Sequence, residues 1–239
     1  MKYTWSSATH VGLVRESNQD SVAPAHDGST DDVLIAAVAD GMGGAAAGDV
    51  ASRVALAAAI EPTPDEQPDP TARVTAGNEA VLLAEQEDTS RRGMGTTLTL
   101  GMFHPDGHVD IGHVGDSRMY LFRDGRLTQV TDDHSFVGEL VRAGKLNPTE
   151  AMHHPRRNIV TRVLGTPGLV ADRIELHLNP GDRVLICSDG LTDMVTRGGI
   201  EAILADTDTV TDAAWGLVEA ANRAGGVDNT TVVVVDASQ

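Results

Sequence analysis

Residues 96–130, TTLTLGMFHPDGHVDIGHVGDSRMYLFRDGRLTQV, decide the fold class. Within them TTLTLGMF (96–103), HVDIGHV (108–114) and RMYLF (118–122) are apolar or alternating β-rich stretches, and a fourth short one ends at Val130. FHPDGH (103–108) and FRDGR (122–126) carry the Pro, Asp and Gly of tight turns and read as hairpins, so the sheet is expected to be antiparallel. Further strands are expected at 33–39 (VLIAAVA), 172–178 (DRIELHL), 183–187 (RVLIC) and 230–235 (TTVVVV). Helices are expected over 46–60, 71–87 and 210–224. In the last of these Val210, Ala213, Ala214, Leu217, Val218 and Ala221 share one face. Helices set apart from a continuous strand run point to α+β layers rather than a doubly wound sheet.

The 239 residues are read as one domain spanning 1–239, with two interruptions. EPTPDEQPDP (61–70) holds four of the ten prolines and reads as an exposed connection. Residues 134–170 break the strand rhythm with short, polar, helical sequence and read as an insertion over one face. Eighteen Lys plus Arg face 35 Asp plus Glu, a net charge of −17, which repels phosphate backbones and argues against nucleic acid as a partner. The longest apolar runs are seven residues, too short for a membrane, and the first residues lack the pattern of a signal peptide. A lone cysteine, Cys187, excludes an internal disulfide and a thiol-rich zinc site. A cytoplasmic monomer is the expectation.

The acid excess is biased: 24 Asp against 11 Glu, although Glu is the better helix former. Five Asp-Gly pairs occur, and those at 106–107 and 124–125 are hairpin turns. Asp40 and Asp189 differ, because each ends a run too apolar to be half-exposed, VLIAAVA and RVLICS. Asp116 interrupts strand-like sequence, and Asp228 opens the last strand. Carboxylates at the ends of core strands would repel one another without a cation. The absence of Cys and His from this set favours a hard ion, Mg²⁺ or Mn²⁺. Asp40-Gly41-Met42-Gly43-Gly44 lets backbone approach such an ion, and it matches neither the dinucleotide nor the P-loop fingerprint. Two carboxylate-held ions bridging a water form a hydrolytic device for phosphoryl groups, and Arg15 is the candidate for gripping the phosphate.

Six motifs in order then resemble the bacterial branch of the metal-dependent protein serine/threonine phosphatases, the type-2C family. They are Arg15–Asp20 (RESNQD), Asp40–Gly44 (DGMGG), Gly93–Thr97 (GMGTT), Gly115–Arg118 (GDSR), Ser188–Leu191 (SDGL) and Asp228–Thr231 (DNTT). His153-His154-Pro155 with 158–165 (NIVTRVLG) resembles that branch's flap, placing a flap-like insertion at 134–165. The resemblance implies a four-layer α-β-β-α sandwich, two antiparallel sheets flanked by helices. It implies two to three Mn²⁺ or Mg²⁺ ions: Asp40 bridging two, the Gly41 carbonyl on one, Asp189 and Asp228 on the other, and Asp116 with Asp189 at a third. Asp20 would orient metal-bound waters, and Arg15 would hold the substrate phosphate. Gln19 and Met42 stand where eukaryotic relatives carry a glutamate and a histidine; Met42 implies that leaving-group protonation falls to water on the metal, and Gln19 removes one negative charge beside the metal site.

The expected activity is hydrolysis of phosphoserine and phosphothreonine in proteins, substrates of a serine/threonine kinase, by a water bridging two metals. A serine phosphatase of a partner-switching pathway and a non-catalytic phosphoprotein-binding domain are the rival readings. No Cys-x₅-Arg loop exists, and Cys187 in an apolar strand reads as inert. His10, His104, His108 and His113 read as surface or strand-packed imidazoles, and Met94 and Met102 as core. The basic island His153, His154, Arg156 and Arg157 is either a solvated face or an attractant for a phosphorylated peptide.

Overall fold

The computed structural model describes residues 1–43, 47–61, 69–147, 150–151 and 154–239. Gly44, His153 and most of the proline-rich connection at 61–70 lie outside the described residues. The strands are β1 (Lys2–His10), β2 (Asp20–Ala23), β3 (Gly28–Thr30), β4 (Leu34–Met42), β5 (Gly95–Thr96), β6 (Leu98–Phe103), β7 (His108–Val114) and β8 (Arg118–Arg123). They continue as β9 (Arg126–Gln129), β10 (Asp172–His177), β11 (Arg183–Cys187) and β12 (Thr230–Ser238). The helices are α1 (Gly48–Ile60), α2 (Pro70–Glu87), α3 (Phe136–Arg142), α4 (Asp189–Thr192), α5 (Arg197–Asp206) and α6 (Val210–Arg223).

Two antiparallel sheets result. Sheet I runs β3-β1-β12-β11-β8-β9, and sheet II runs β10-β7-β6-β4-β2 with β5 paired to β4. The continuous apolar runs are explained by burial of both faces, which the period-2 geometry of a strand divides between two cores. On β12, Val232 and Val234 face α5 and α6, whereas Val233 and Val235 face the other sheet. β11 splits the same way, with Leu185 and Cys187 outward and Val184 and Ile186 inward. On β4, Ala37 and Ala39 meet α1 and α2, while Leu34, Ala36 and Val38 meet sheet I. Three cores separated by two sheets give the expected four layers, α-β-β-α. Few aromatic residues are available, so Val, Ile, Leu and Met fill the central core. Tyr3 and Phe103 join the sheets edge to face at 5.5 Å.

Local chemistry sets the helix ends. Asp69 accepts from the Thr71 amide with Pro70 at the first position of α2, and Thr209 accepts from the Asp212 amide at the start of α6. Cys187 is buried among apolar neighbours, which push its thiol up to about 12 and leave it inert, and Met94 and Met102 are core.

Three expectations need correction. The stretch 96–103 is not one strand: it breaks at Thr97, whose amide and hydroxyl both turn to the backbone of Asp40. The four strands of 96–130 do not form one sheet. Both hairpins form, but residues 115–117 carry the chain from sheet II to sheet I. Finally β1, β2, β3, α4 and α5 have no counterpart among the expected elements. β1 is rich in Ser and Thr and owes its place to nine-residue pairing with β12 rather than to its own hydrophobicity.

Leu217 is wholly buried at the centre of the α6 face. Leu217→Ala is expected to cost about 3 kcal/mol in chemical denaturation, while Leu83→Ala, at 57% exposure, changes stability by less than about 0.5 kcal/mol.

Candidate active site

The aspartates singled out in the sequence come together at one end of the sandwich, contributed by both sheets. Asp20 opens β2 and lies directly opposite Asp40 on β4. Asp116 sits in the crossover between sheets, Asp189 at the end of β11 and Asp228 just before β12. Asp40 feels the charges of Asp20, Asp189 and Asp116, and Asp189 those of Asp116, Asp228 and Asp20.

Each carboxylate is held by a backbone that has little freedom. Thr96 and Thr97 clamp Asp40: the Asp40 carbonyl accepts from the Thr97 amide (2.9 Å) and the Thr96 hydroxyl (2.8 Å). Gly41 is packed so closely that a Cβ would run into the Gly48 carbonyl, and its amide donates to the Gln19 carbonyl at 3.1 Å. A Cβ at Gly190 would likewise strike the Asn229 carbonyl. Asn229 fastens the loop that carries Arg15: its side-chain amide donates to the carbonyls of Val11 and Ser17 and accepts from the Gln19 amide. Ser188 links the sheets, accepting from the Thr231 amide and donating to Asp20 Oδ2 at 2.8 Å.

Arg15 donates to Asp228 Oδ2 at 2.7 Å through Nη2, and Asp228 Oδ1 accepts from the Asn229 amide. That bond raises the Arg15 pKa further. Among the described residues no Lys or Arg forms an ion pair with Asp20, Asp40, Asp116 or Asp189, although Arg118 acts on Asp116 from nearby. Burial, followed by mutual repulsion, holds Asp40 and Asp189 well above the ordinary carboxyl range. Burial also lifts Asp20 to about 6, with Asp228 adding to the shift, and lifts Asp116 to about 6, with Asp133 adding to it. Asp20 Oδ1 is buried with no hydrogen-bond partner among the described residues. An all-oxygen donor set, a surplus of negative charge and an orphaned carboxylate oxygen fit divalent cations of the Mg²⁺ or Mn²⁺ type.

Asp193 is a site residue that sequence reasoning missed. Its charge acts on both Asp116 and Asp189, and its amide donates to the Asp189 carbonyl one helical turn back. The i+4 spacing from Asp189 was the available signal. A cavity of about 450 Å³ opens beside these residues, between the flap-like segment and α5, lined in part by Asp116, Val137, Arg157, Asp189, Asp193 and Ile200. Of the described residues of the basic island, Arg156 and Arg157 are exposed; Arg156 stacks over the Phe136 ring at 3.8 Å, and Arg157 reaches to 3.9 Å from Asp193. His113 is buried in its strand, whereas His104 and His108 are partly buried around Asp110. His108, Asp110 and Glu175 form a compact cluster, but it lies toward the His108 end of β7, whereas Asp116 follows the opposite end at Val114, and Arg173 already bridges both its carboxylates.

The protein phosphatase 2C family model matches residues 10–217, and the chain belongs to that family. It is 42% identical over 237 residues to the serine/threonine protein phosphatase PstP of Mycobacterium tuberculosis, a match covering 97% of this chain but 44% of that protein, so the chain spans less than half of that relative's length. The serine/threonine phosphatase stp of Listeria monocytogenes is 37% identical over 242 residues, covering 95% of this chain and 93% of that protein. A crystal structure of the Mycobacterium tuberculosis serine/threonine phosphatase PstP/Ppp superposes with a TM-score of 0.91 at 39% identity, covering 100% of each chain. Another, of the PstP catalytic domain in complex with two manganese ions, gives 0.87 at 38% identity, again covering 100% of each chain.

The raised carboxyls set a pH dependence for the metal-free protein. Between the ordinary value of 3.8 and about 6, folded Asp20 and Asp116 hold protons that the unfolded chain has released. Stability from these groups is therefore present below about pH 4 and lost as pH rises through about 6. The melting temperature without metal is expected to be lower at about pH 7 than at about pH 5, with a smaller drop in Asp20→Asn; an equal drop in both proteins contradicts this assignment.

Proposed function

We propose that this chain is a metal-dependent protein serine/threonine phosphatase that removes phosphate from phosphoserine and phosphothreonine side chains. One observation carries the reading: carboxylates from both sheets converge at one end of the sandwich with too little positive charge to offset them. Asp40 would bridge two ions, with the Gly41 carbonyl on one and Asp189 and Asp228 on the other. Asp116 and Asp189 would hold a third, and Asp20 would orient the surrounding waters. When bound, the ions supply an activated water and neutralise the phosphoryl oxygens as the ester bond breaks.

The protein's own residues do the rest. Among the described residues Arg15 is bound only by Asp228, through Nη2, so the other donors of its planar fork can turn to a phosphate. The Asn229 staple fixes the loop from which Arg15 projects, so the guanidinium is presented without a large ordering cost. Thr96 and Thr97 hold Asp40 in place, which keeps the carboxylate directed at the shared site rather than relaxing away from its like-charged neighbours. The cavity beside Asp116 and Asp189 gives room for the polypeptide that bears the phosphorylated residue.

Phosphoproteins made by a serine/threonine kinase are the substrates this reading implies, with the chain acting as one cytoplasmic domain and as a monomer. No helix among the described residues is long and apolar enough to cross a membrane. Intact carboxylates at positions 40, 189 and 228 argue against a domain that binds without turnover.

Asp40→Ala and Asp189→Ala should each abolish Mn²⁺-dependent hydrolysis of an aryl phosphate; activity retained in either variant would sink the mechanism. Arg15→Ala should raise KM for a phosphothreonine peptide about tenfold or more while lowering kcat less, the loss of one charged hydrogen bond to the phosphate.

A further inference from the structure

Gly115 precedes Asp116 in the crossover between sheets, and it has no side chain to hold its own position. Its φ of +111° is open to glycine, and a Cβ there would collide with the Thr97 side chain. Its peptide groups are instead fixed by a single residue. The Gly115 amide donates to His134 Nδ1 at 3.1 Å, and the Gly115 carbonyl accepts from the His134 amide at 2.8 Å.

His134 is wholly buried and its ring is held from behind. Nε2 lies 3.1 Å from Asp172 Oδ2, and Asp172 Oδ1 accepts from Arg162 Nη1 at 2.7 Å. Burial lowers the His134 pKa, so the ring is neutral at neutral pH. Asp172 stays ionised: partial burial opposes this, but hydrogen bonds from Arg162 and His134 outweigh it. An amide can only donate and an ionised carboxylate can only accept, so the tautomer is determined: Nε2 carries the proton and Nδ1 is the acceptor. His113 packs against the ring with centroids 4.8 Å apart, and both of its own nitrogens are engaged, by Thr99 and by the Asp132 carbonyl.

The same residue begins the flap-like insertion. Its carbonyl accepts from the Thr161 amide at 2.7 Å, and Ser135 bridges to Val160, so the two ends of the insertion close on each other at His134. We propose that His134 is a positioning residue: backed by Asp172 and Arg162, it sets the Gly115–Asp116 backbone and joins the base of the flap to the Asp116 carboxylate. The effect on cation binding rests on the reading of Asp116 as a ligand; the effect on Gly115 does not.

Asp172→Ala and Arg162→Gln remove the support from outside, at half-exposed positions where folding is expected to survive. Two measurements test the relay. In metal-free protein, amide exchange at Gly115 should accelerate about tenfold in both variants, and in Asp172→Ala, which removes the acceptor from Nε2, the ¹⁵N shifts of His134 should change from the single tautomer with Nε2 protonated to a mixture. In calorimetric Mn²⁺ titrations, the binding event that Asp116→Ala removes should weaken about tenfold in both variants, with the other events unchanged. Asp172→Asn, which still offers an acceptor to Nε2, should recover most of the tautomer signal. Unchanged Gly115 exchange in both variants overturns the relay, and faster exchange with unchanged Mn²⁺ affinity overturns its link to Asp116. Failure of the wild-type protein to hydrolyse phosphate esters would instead count against the phosphatase reading, and the metal-free exchange data would still decide the role of His134.

Discussion

Repulsion among like charges is the constraint around which the molecule is organised. Four strands and one crossover deliver carboxylates to the same end of the sandwich, where burial and proximity disfavour simultaneous ionisation. A fold driven only by its three hydrophobic cores would not bring these groups together. The hydrogen bonds around them act as restraints: Thr96 and Thr97 on Asp40, Asn229 on the Arg15 loop, Ser188 between Asp20 and β12. Stability is spent to hold a charge distribution that only cations complete. The surplus fits the family to which the chain belongs, whose PstP member has been crystallised with two manganese ions.

The hydrophobic layers were legible in the sequence because strands buried on both faces leave an unmistakable run. VLIAAVA, RVLIC and VVVV could be placed for that reason, and the α6 stripe for the complementary one, a single buried face at helical spacing. β1 was not legible. Its Ser and Thr residues carry no alternation, and it is a strand because β12 and β3 flank it. The crossover at 115–117 was equally hidden, since a strand entering the other sheet and a strand turning back have the same local composition.

The site was legible where a charged residue terminated an apolar run, which exposed Asp40 and Asp189, and less so elsewhere. Asp193 caps the C-terminal end of α4, where an aspartate is unremarkable until the neighbouring carboxylates are placed around it. His134 carries no local signal at all. Its importance comes from Gly115, nineteen residues earlier, and from Asp172, thirty-eight residues later. Single residues that act by joining distant segments have no periodicity and no motif spacing, so only a three-dimensional arrangement reveals them.

The pairing of β1 with β12 has a consequence for biosynthesis. β12 lies inside sheet I, between β1 and β11, and it is made after every other strand of that sheet. Until residues 230–238 leave the ribosome, sheet I is two fragments, each presenting an unpaired edge to the solvent or to another nascent chain. Asp228 and Asn229 emerge at the same moment, so the Arg15 loop has neither its staple nor its counter-charge before then. A polypeptide stalled short of this point therefore lacks an ordered charge centre, and shielding of the open edges by a chaperone would matter most in the interval just before the last strand is inserted.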